Sequence, residues 1–172
     1  MSAPTATPVA DPAGSATETF DEQHVVAVEM AGQRYALEIH TVQEVVRMQK
    51  ITEIPGADSW VQGVTNLRGK VVPVIDLRRR CGIPVTEATA ETRIVVVNSD
   101  NGLVGLIVDA VSEVMRIPGG QIEGMSQVVN QGEDAFLRGV AKVDGGLISL
   151  LDLECIFPAG VSFESEQYAL AA

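Results

Sequence analysis

The side chains with reactive potential in this chain are two histidines, two cysteines and two aspartates that follow apolar runs. His24 opens a valine-rich segment and His40 sits at a turn, and neither stands at metal-ligand spacing from a cysteine or carboxylate. A serine nucleophile would need one of them as its base, neither is placed for that work, and no Gly-x-Ser-x-Gly elbow is present. Gly69-Lys70 is the only Gly-Lys pair, and it lies in a hairpin turn rather than in a phosphate-binding loop. Cys81 and Cys155 form no metal-type spacing and read as plain buried residues. Asp76 and Asp152 each precede a leucine and polar residues, a pattern that fits helix N-caps better than paired catalytic carboxylates. The expected class is a binding or scaffolding protein rather than an enzyme, with no cofactor and no metal.

The framework that carries these residues is written twice. Residues 24–48 overlay residues 93–117 at a constant offset of 69, matching Val26 with Val95, Val28 with Val97, Val42 with Val111, Glu44 with Glu113 and Arg47 with Arg116. Residues 60–79 overlay 136–155 at an offset of 76, matching Gly63 with Gly139, Val64 with Val140 and Asp76 with Asp152. The offset grows by 76 − 69 = 7, so the second copy carries a seven-residue insertion between Arg116 and Phe136. Two copies are too few for a solenoid and suggest two similar small domains that share an interface. Each copy is marginal as an independent core, so the two are expected to lean on each other.

Of the 172 residues 46% are hydrophobic and only 4% aromatic, so the core is aliphatic and rich in the β-branched residues that favour strands. The formal net charge of −11 argues against nucleic acid and against an anionic membrane surface. The first twenty residues have neither a basic start nor a continuous apolar run, and no stretch is long enough to span a bilayer. A cytoplasmic protein without direct membrane insertion is expected.

Residues 1–22, rich in Ala, Pro, Thr and Ser, read as a disordered and dispensable tail. Strands are expected at 25–30, 34–39, 42–48, 63–67 and 71–75, and again at 94–99, 103–108, 111–117, 139–143 and 147–151. Ala31-Gly32, Asn101-Gly102, Arg68-Gly69 and Asp144-Gly145-Gly146 are hairpin signals. Five short strands per copy suggest a small closed barrel. The expected fold is all-β. Barrels at 23–82 and 93–157 are joined by a linker at 83–92, with short helices at the barrel ends and a tail or short helix at 158–172. Strands could be exchanged between the barrels, because sequence gives order and not pairing partners.

The segment 63–78, GVTNLRGKVVPVIDLR, closely resembles the signature of the CheW family of bacterial chemotaxis coupling proteins. YALEI at 35–39, VQEV at 42–45 and VGLIVDAV at 104–111 match further parts of that family, and the resemblance spans roughly residues 23–157. It implies two five-stranded SH3-like barrels packed together. It also implies a non-enzymatic adaptor in two-component signalling, bridging chemoreceptor (methyl-accepting chemotaxis protein) tips to the regulatory domain of the histidine kinase CheA, in arrays beneath the membrane. A CheW-like scaffold of another chemosensory pathway, for pilus motility or development, is the alternative.

By the same resemblance, receptor binding falls on Val42, Glu44, Gly63, Arg68, Gly105 and Val111, and kinase binding on Ile122, Met125, Val128 and Gly139. Val42 and Val111 read equally well as core residues. Gly63 and Gly139 also read as backbone requirements. Arg68 occupies a turn where the second copy has Asp144, so the fold itself does not require arginine there. The resemblance implies a groove between the barrels that receives the receptor hairpin, and Glu44 and Arg68, of opposite charge, are expected to pair across its mouth, orienting Val42 toward the receptor. The insertion 118–135 departs from family forms with a basic and an aromatic contact, having Glu123 and Val128.

Overall fold

The computed structural model describes residues 22–100, 102–124, 136–144 and 146–157. The first repeat begins with β1 (Gln23–Met30) and β2 (Gln33–Glu38), then a 3-10 turn at Ile39–Thr41 and β3 (Val42–Arg47). It continues with β4 (Val61–Leu67), β5 (Lys70–Asp76) and the short helix α1 (Leu77–Arg80). The second repeat runs β6 (Arg93–Ser99), β7 (Gly102–Val108), β8 (Ala110–Ile117), a 3-10 turn at Gly119–Gln121, β9 (Ile122–Gly124), β10 (Leu137–Val143), β11 (Gly146–Leu151) and α2 (Leu153–Ile156). The fold is all-β. Tight turns follow from local chemistry: Ala31 and Gly32 adopt φ of 52° and 79°, and Arg68 and Gly69 adopt 54° and 87°, the sign that two-residue hairpin loops need. Asp76 accepts from the Arg78 N–H and Asp152 from the Glu154 N–H, each at 3.0 Å, as N-caps do. The expected tail over 1–22, save Glu22, and the expected C-terminal helix lie outside the described residues.

Strand membership does not follow repeat order. One sheet runs β8-β1-β2-β11-β10-β9 and the other β3-β6-β7-β5-β4. The first hairpin of each repeat therefore pairs with later strands of the other repeat. The registers obey the sequence offset: Val42 faces Val97, and adding 69 to the first number while subtracting 69 from the second gives Val111 facing Val28, which is also observed. The parallel contacts behave alike, with Val74 beside Gly105 and Leu150 beside Ala36. An approximate two-fold axis thus relates the halves. Within the described residues neither sheet closes on itself by strand pairing, so the expected closed barrels are instead two sheets of six and five strands. The strand β9, which pairs Gly124 with Gly139, arises from the insertion; in the first repeat a single bridge between Thr52 and Val64 takes its place.

Three apolar clusters explain why Val25–Val28 and Ile94–Val97 are buried continuously rather than alternately. Val26, Val28, Met30 and Leu37 of one sheet meet Val95, Val97, Leu106 and Ile75 of the other in a shared central core. Val25 and Ala27 point the opposite way, into a core with Ile117, Ala141, Ile148 and Leu150 inside the six-stranded sheet. Ile94 and Val96 do the same with Val74 and Ile107 inside the five-stranded one. Strands buried on both faces read as unbroken apolar runs. Each fully buried aliphatic side chain contributes about 1.5–3 kcal/mol of transfer free energy.

Two arginines join the halves. Arg78, with its side chain only 5% exposed, makes a bidentate contact with Asp76 at 2.9 and 3.0 Å and donates to Asp109 at 2.7 Å. Asp109 in turn accepts from the Ala31 N–H at 2.8 Å, which ties the β1–β2 turn to the end of β5. Arg80 lies over the rings of Trp60 and Phe136 at 5.2 and 4.9 Å, and its Nε donates to the Ile156 carbonyl at 2.6 Å. Trp60 and Phe136 are repeat equivalents, so this arginine sits where the two halves meet.

Candidate functional site

The site is built on β3, an edge strand, and on the β4–β5 hairpin. Arg68 stands at the hairpin tip, where Asn66 Oδ1 accepts the Gly69 N–H at 2.9 Å and steadies the turn. From that tip Arg68 Nη2 reaches Glu44 Oε2 at 2.9 Å. Arg68 is 84% exposed and Glu44 25%, so the pair forms a solvent-facing bridge from hairpin to edge strand.

Val42 does not share this face. A bulge between Val42 and Glu44 places Val42 opposite Val97 and Glu44 opposite Val96. Val97 belongs to the central core and Val96 to the core inside the five-stranded sheet. Val42 therefore packs half-buried toward the inter-sheet core, while Glu44 faces the other side of β3. The expectation that the ion pair aims Val42 is corrected here: the bulge separates them. Val111 repeats the arrangement, opposite Val28, with Glu113 opposite Ala27, so that Ser112 is the extra residue on β8 as Gln43 is on β3. The same alternation brings Val45, 40% exposed, and Arg47 onto the side of Val42.

The glycines are held by close approach. A Cβ on Gly63, whose φ is +145°, would lie 2.1 Å from the Thr52 carbonyl oxygen. One on Gly139 would lie 2.7 Å from the Glu123 carbonyl oxygen, and one on Gly105 2.7 Å from Ile94 Cγ2. Gly63 and Gly139 let Thr52 and β9 lie against β4 and β10, and Gly105 lets Ile94 pack over β7. Ile122 is half-buried against the core of the six-stranded sheet. Met125 and Val128 lie outside the described residues. Sequence reading missed Arg78, Asp109 and Arg80; only the buried setting of Asp76 singles out Arg78, and nothing local signals the other two.

Burial pushes the Cys81 thiol up to about 12, and the nearby Arg80 charge only partly offsets it, so Cys81 is a thiol at neutral pH. The Arg78 guanidinium is held charged above the ordinary arginine range, first by its hydrogen bonds to Asp76 and less by Asp109, against the opposing effect of burial. Among the described residues no helix is long and apolar enough to cross a membrane.

Comparison with known proteins matches residues 24–160 to a family described as the CheW-like domain. The Chemotaxis protein CheW of Bacillus subtilis is 34% identical over 125 residues, covering 73% of this chain and 80% of the relative. The crystal structure of the scaffolding protein TtCheW from Thermoanaerobacter tengcongensis superposes with a TM-score of 0.73 at 37% identity, over 82% of this chain and 91% of that one. Protein PilI of Pseudomonas aeruginosa is 31% identical over 93 residues, covering 54% of this chain and 52% of the relative.

Proposed function

The chain belongs to the CheW-like family, whose members are scaffold adaptors rather than enzymes, and on that footing we propose that it couples chemoreceptor tips to the histidine kinase CheA. The observation that carries this reading is the bridge from Arg68 to Glu44 on a strand that forms a sheet edge among the described residues. An exposed pair adds only about 0–1 kcal/mol to folding, so the use of an arginine at a strained turn position calls for another reason. Its planar fork holds a carboxylate in a fixed orientation, and together they present a charged rim beside β3. Val42, Glu44, Gly63, Arg68, Gly105 and Val111 make up the proposed receptor side. Ile122, Met125, Val128 and Gly139 belong to the proposed kinase side. In this reading the protein works in the cytoplasm and joins membrane-associated arrays through its partners.

The test is co-sedimentation of the full chain with a receptor cytoplasmic tip fragment and CheA from the same bacterium. A ternary complex that needs this chain, and that Arg68→Ala weakens, is expected. A complex that forms equally well without the chain would overturn the proposal. The likeness to PilI favours a second reading, a scaffold in another chemosensory pathway such as pilus motility. Co-sedimentation with kinases from each pathway separates the two, since only the cognate kinase should be retained.

A further inference from the structure

Two arginines face each other on this surface. Arg47 at the end of β3 is the direct cross-strand partner of Arg93 at the start of β6. Like charges directly opposite on neighbouring strands are destabilising, and this chain carries a net charge of −11, so acids to separate them are plentiful. Yet neither guanidinium is paired with a carboxylate among the described residues. Among the described residues the Arg93 guanidinium donates to the carbonyls of Ala90 and Thr92, at 2.7 and 2.9 Å. Asp109, which follows the Arg93 partner Val108 in the ladder, is engaged by Arg78 and the Ala31 N–H. The approximate two-fold axis repeats the motif: Arg116 is the direct partner of His24.

The neighbouring side chain on the same face completes the pattern. Val45 precedes Arg47 by two residues, pairs with Val95, and is 40% exposed on a strand with no paired neighbour beyond it among the described residues. Same-face residues two apart on a strand stand about 6.8 Å apart. Side chains one turn apart on a helix stand about 5–6 Å apart. An apolar side chain and a carboxylate separated by one helical turn would therefore meet Val45 and the two guanidiniums together. A simple anion would use the arginines and leave Val45 bare.

We propose that this face of β3 receives an amphipathic helix of the partner, with an apolar side chain on Val45 and a carboxylate one turn away held between Arg47 and Arg93. The inference rests on the adaptor reading and names the chemistry of the receptor helix. Cross-strand arginines that no carboxylate separates among the described residues leave a place for the partner's acid, so the pair discriminates between tips with and without it.

The test measures binding of a soluble helical-hairpin tip fragment from a chemoreceptor of the same bacterium, at low and high salt. Arg47→Gln combined with Arg93→Gln should weaken binding about tenfold or more and remove most of its salt dependence. Its melting temperature should stay level or rise, because the repulsion is gone. Arg47→Glu should abolish binding, and a tip fragment with one acid changed to Lys should restore it. If the double variant binds with wild-type affinity and salt dependence while Arg68→Ala does not, the inference is wrong and the adaptor reading stands. If the wild-type chain fails to bind the fragment, with CheA or without it, both fall together.

Discussion

Arg78 donates to Asp109 at 2.7 Å across 31 positions of sequence, and that one bond links the end of the five-stranded sheet's β5 to the turn of the six-stranded sheet's first hairpin. Loss of the Arg78 guanidinium leaves buried Asp76 with only the backbone N–H of residue 78 and a 3.7 Å contact to half-exposed Arg79. Arg78→Ala is therefore expected to destabilise the fold by about 3–5 kcal/mol in denaturant melts, and Asp109→Asn by about 1–2 kcal/mol. A raised base stabilises at every pH below its unfolded range and loses that effect only as pH rises through its folded value. The Arg78 contribution should consequently be constant through neutral pH. A wild-type melt for Arg78→Ala would remove the clasp from the account.

Gly63→Ala should cost about 2–4 kcal/mol, because the new Cβ would sit 2.1 Å from a carbonyl oxygen on a strand that cannot shift without breaking the Thr52–Val64 bridge. Gly139→Ala meets an oxygen at 2.7 Å and should cost less, about 1–3 kcal/mol. Thermal melts of the two variants settle the order. The reverse order would show that β9 resists displacement more than the Thr52 strand does.

Arg68 holds φ at 54°, a region that a residue with a Cβ occupies at some cost. Arg68→Gly should therefore leave stability within about 1 kcal/mol of wild type, the turn gain offsetting the lost ion pair. Receptor coupling should fall strongly in the same variant, and also in Arg68→Lys, which keeps the charge and loses the fork. Coupling that survives Arg68→Gly would move the receptor site elsewhere.

Cys81 supplies a pH signature. Its thiol is raised to about 12 by burial, so the folded state binds the proton more tightly than the unfolded chain does. Stability from this site is complete below the ordinary thiol range and drains away as pH rises toward about 12. Cys155 is exposed, contrary to the expectation that both cysteines are buried, so at neutral pH a thiol reagent should label it much faster than Cys81. Equal labelling rates would mean that the Cys81 environment opens readily.

Much of this molecule is legible in the string of residues, and the exceptions have physical causes. Hairpin turns, N-caps and the two-fold relation all follow from local chemistry or from the repeat. The Arg68–Glu44 bridge is anticipated because both residues lie in segments that resemble the family's receptor-binding groove and carry opposite charges. Which face Val42 takes was not, because one extra residue in a bulge reverses every side chain beyond it. Strand partners were equally hidden: the valines of β1 say that both faces are buried, and nothing in them says by which strands. The Arg78 clasp depends on Asp109 arriving from the other repeat, and so could not be read before pairing was known.

The interleaving of the repeats sets the order in which the chain can mature. Tyr35 waits for Ser149 and Ala36 for Leu150, so β2 lacks its parallel neighbour until residues 149 and 150 have left the ribosome. Pairings of such long reach make folding slow and late. In the interval the valines of β1 and the bare edge of β2 are open to wrong partners, including the same hairpin on a neighbouring nascent chain. Domain swapping is a characteristic failure mode of proteins built from repeats in this way. The repeat that relates the two sheets also makes each half a ready substitute for the other in a second molecule.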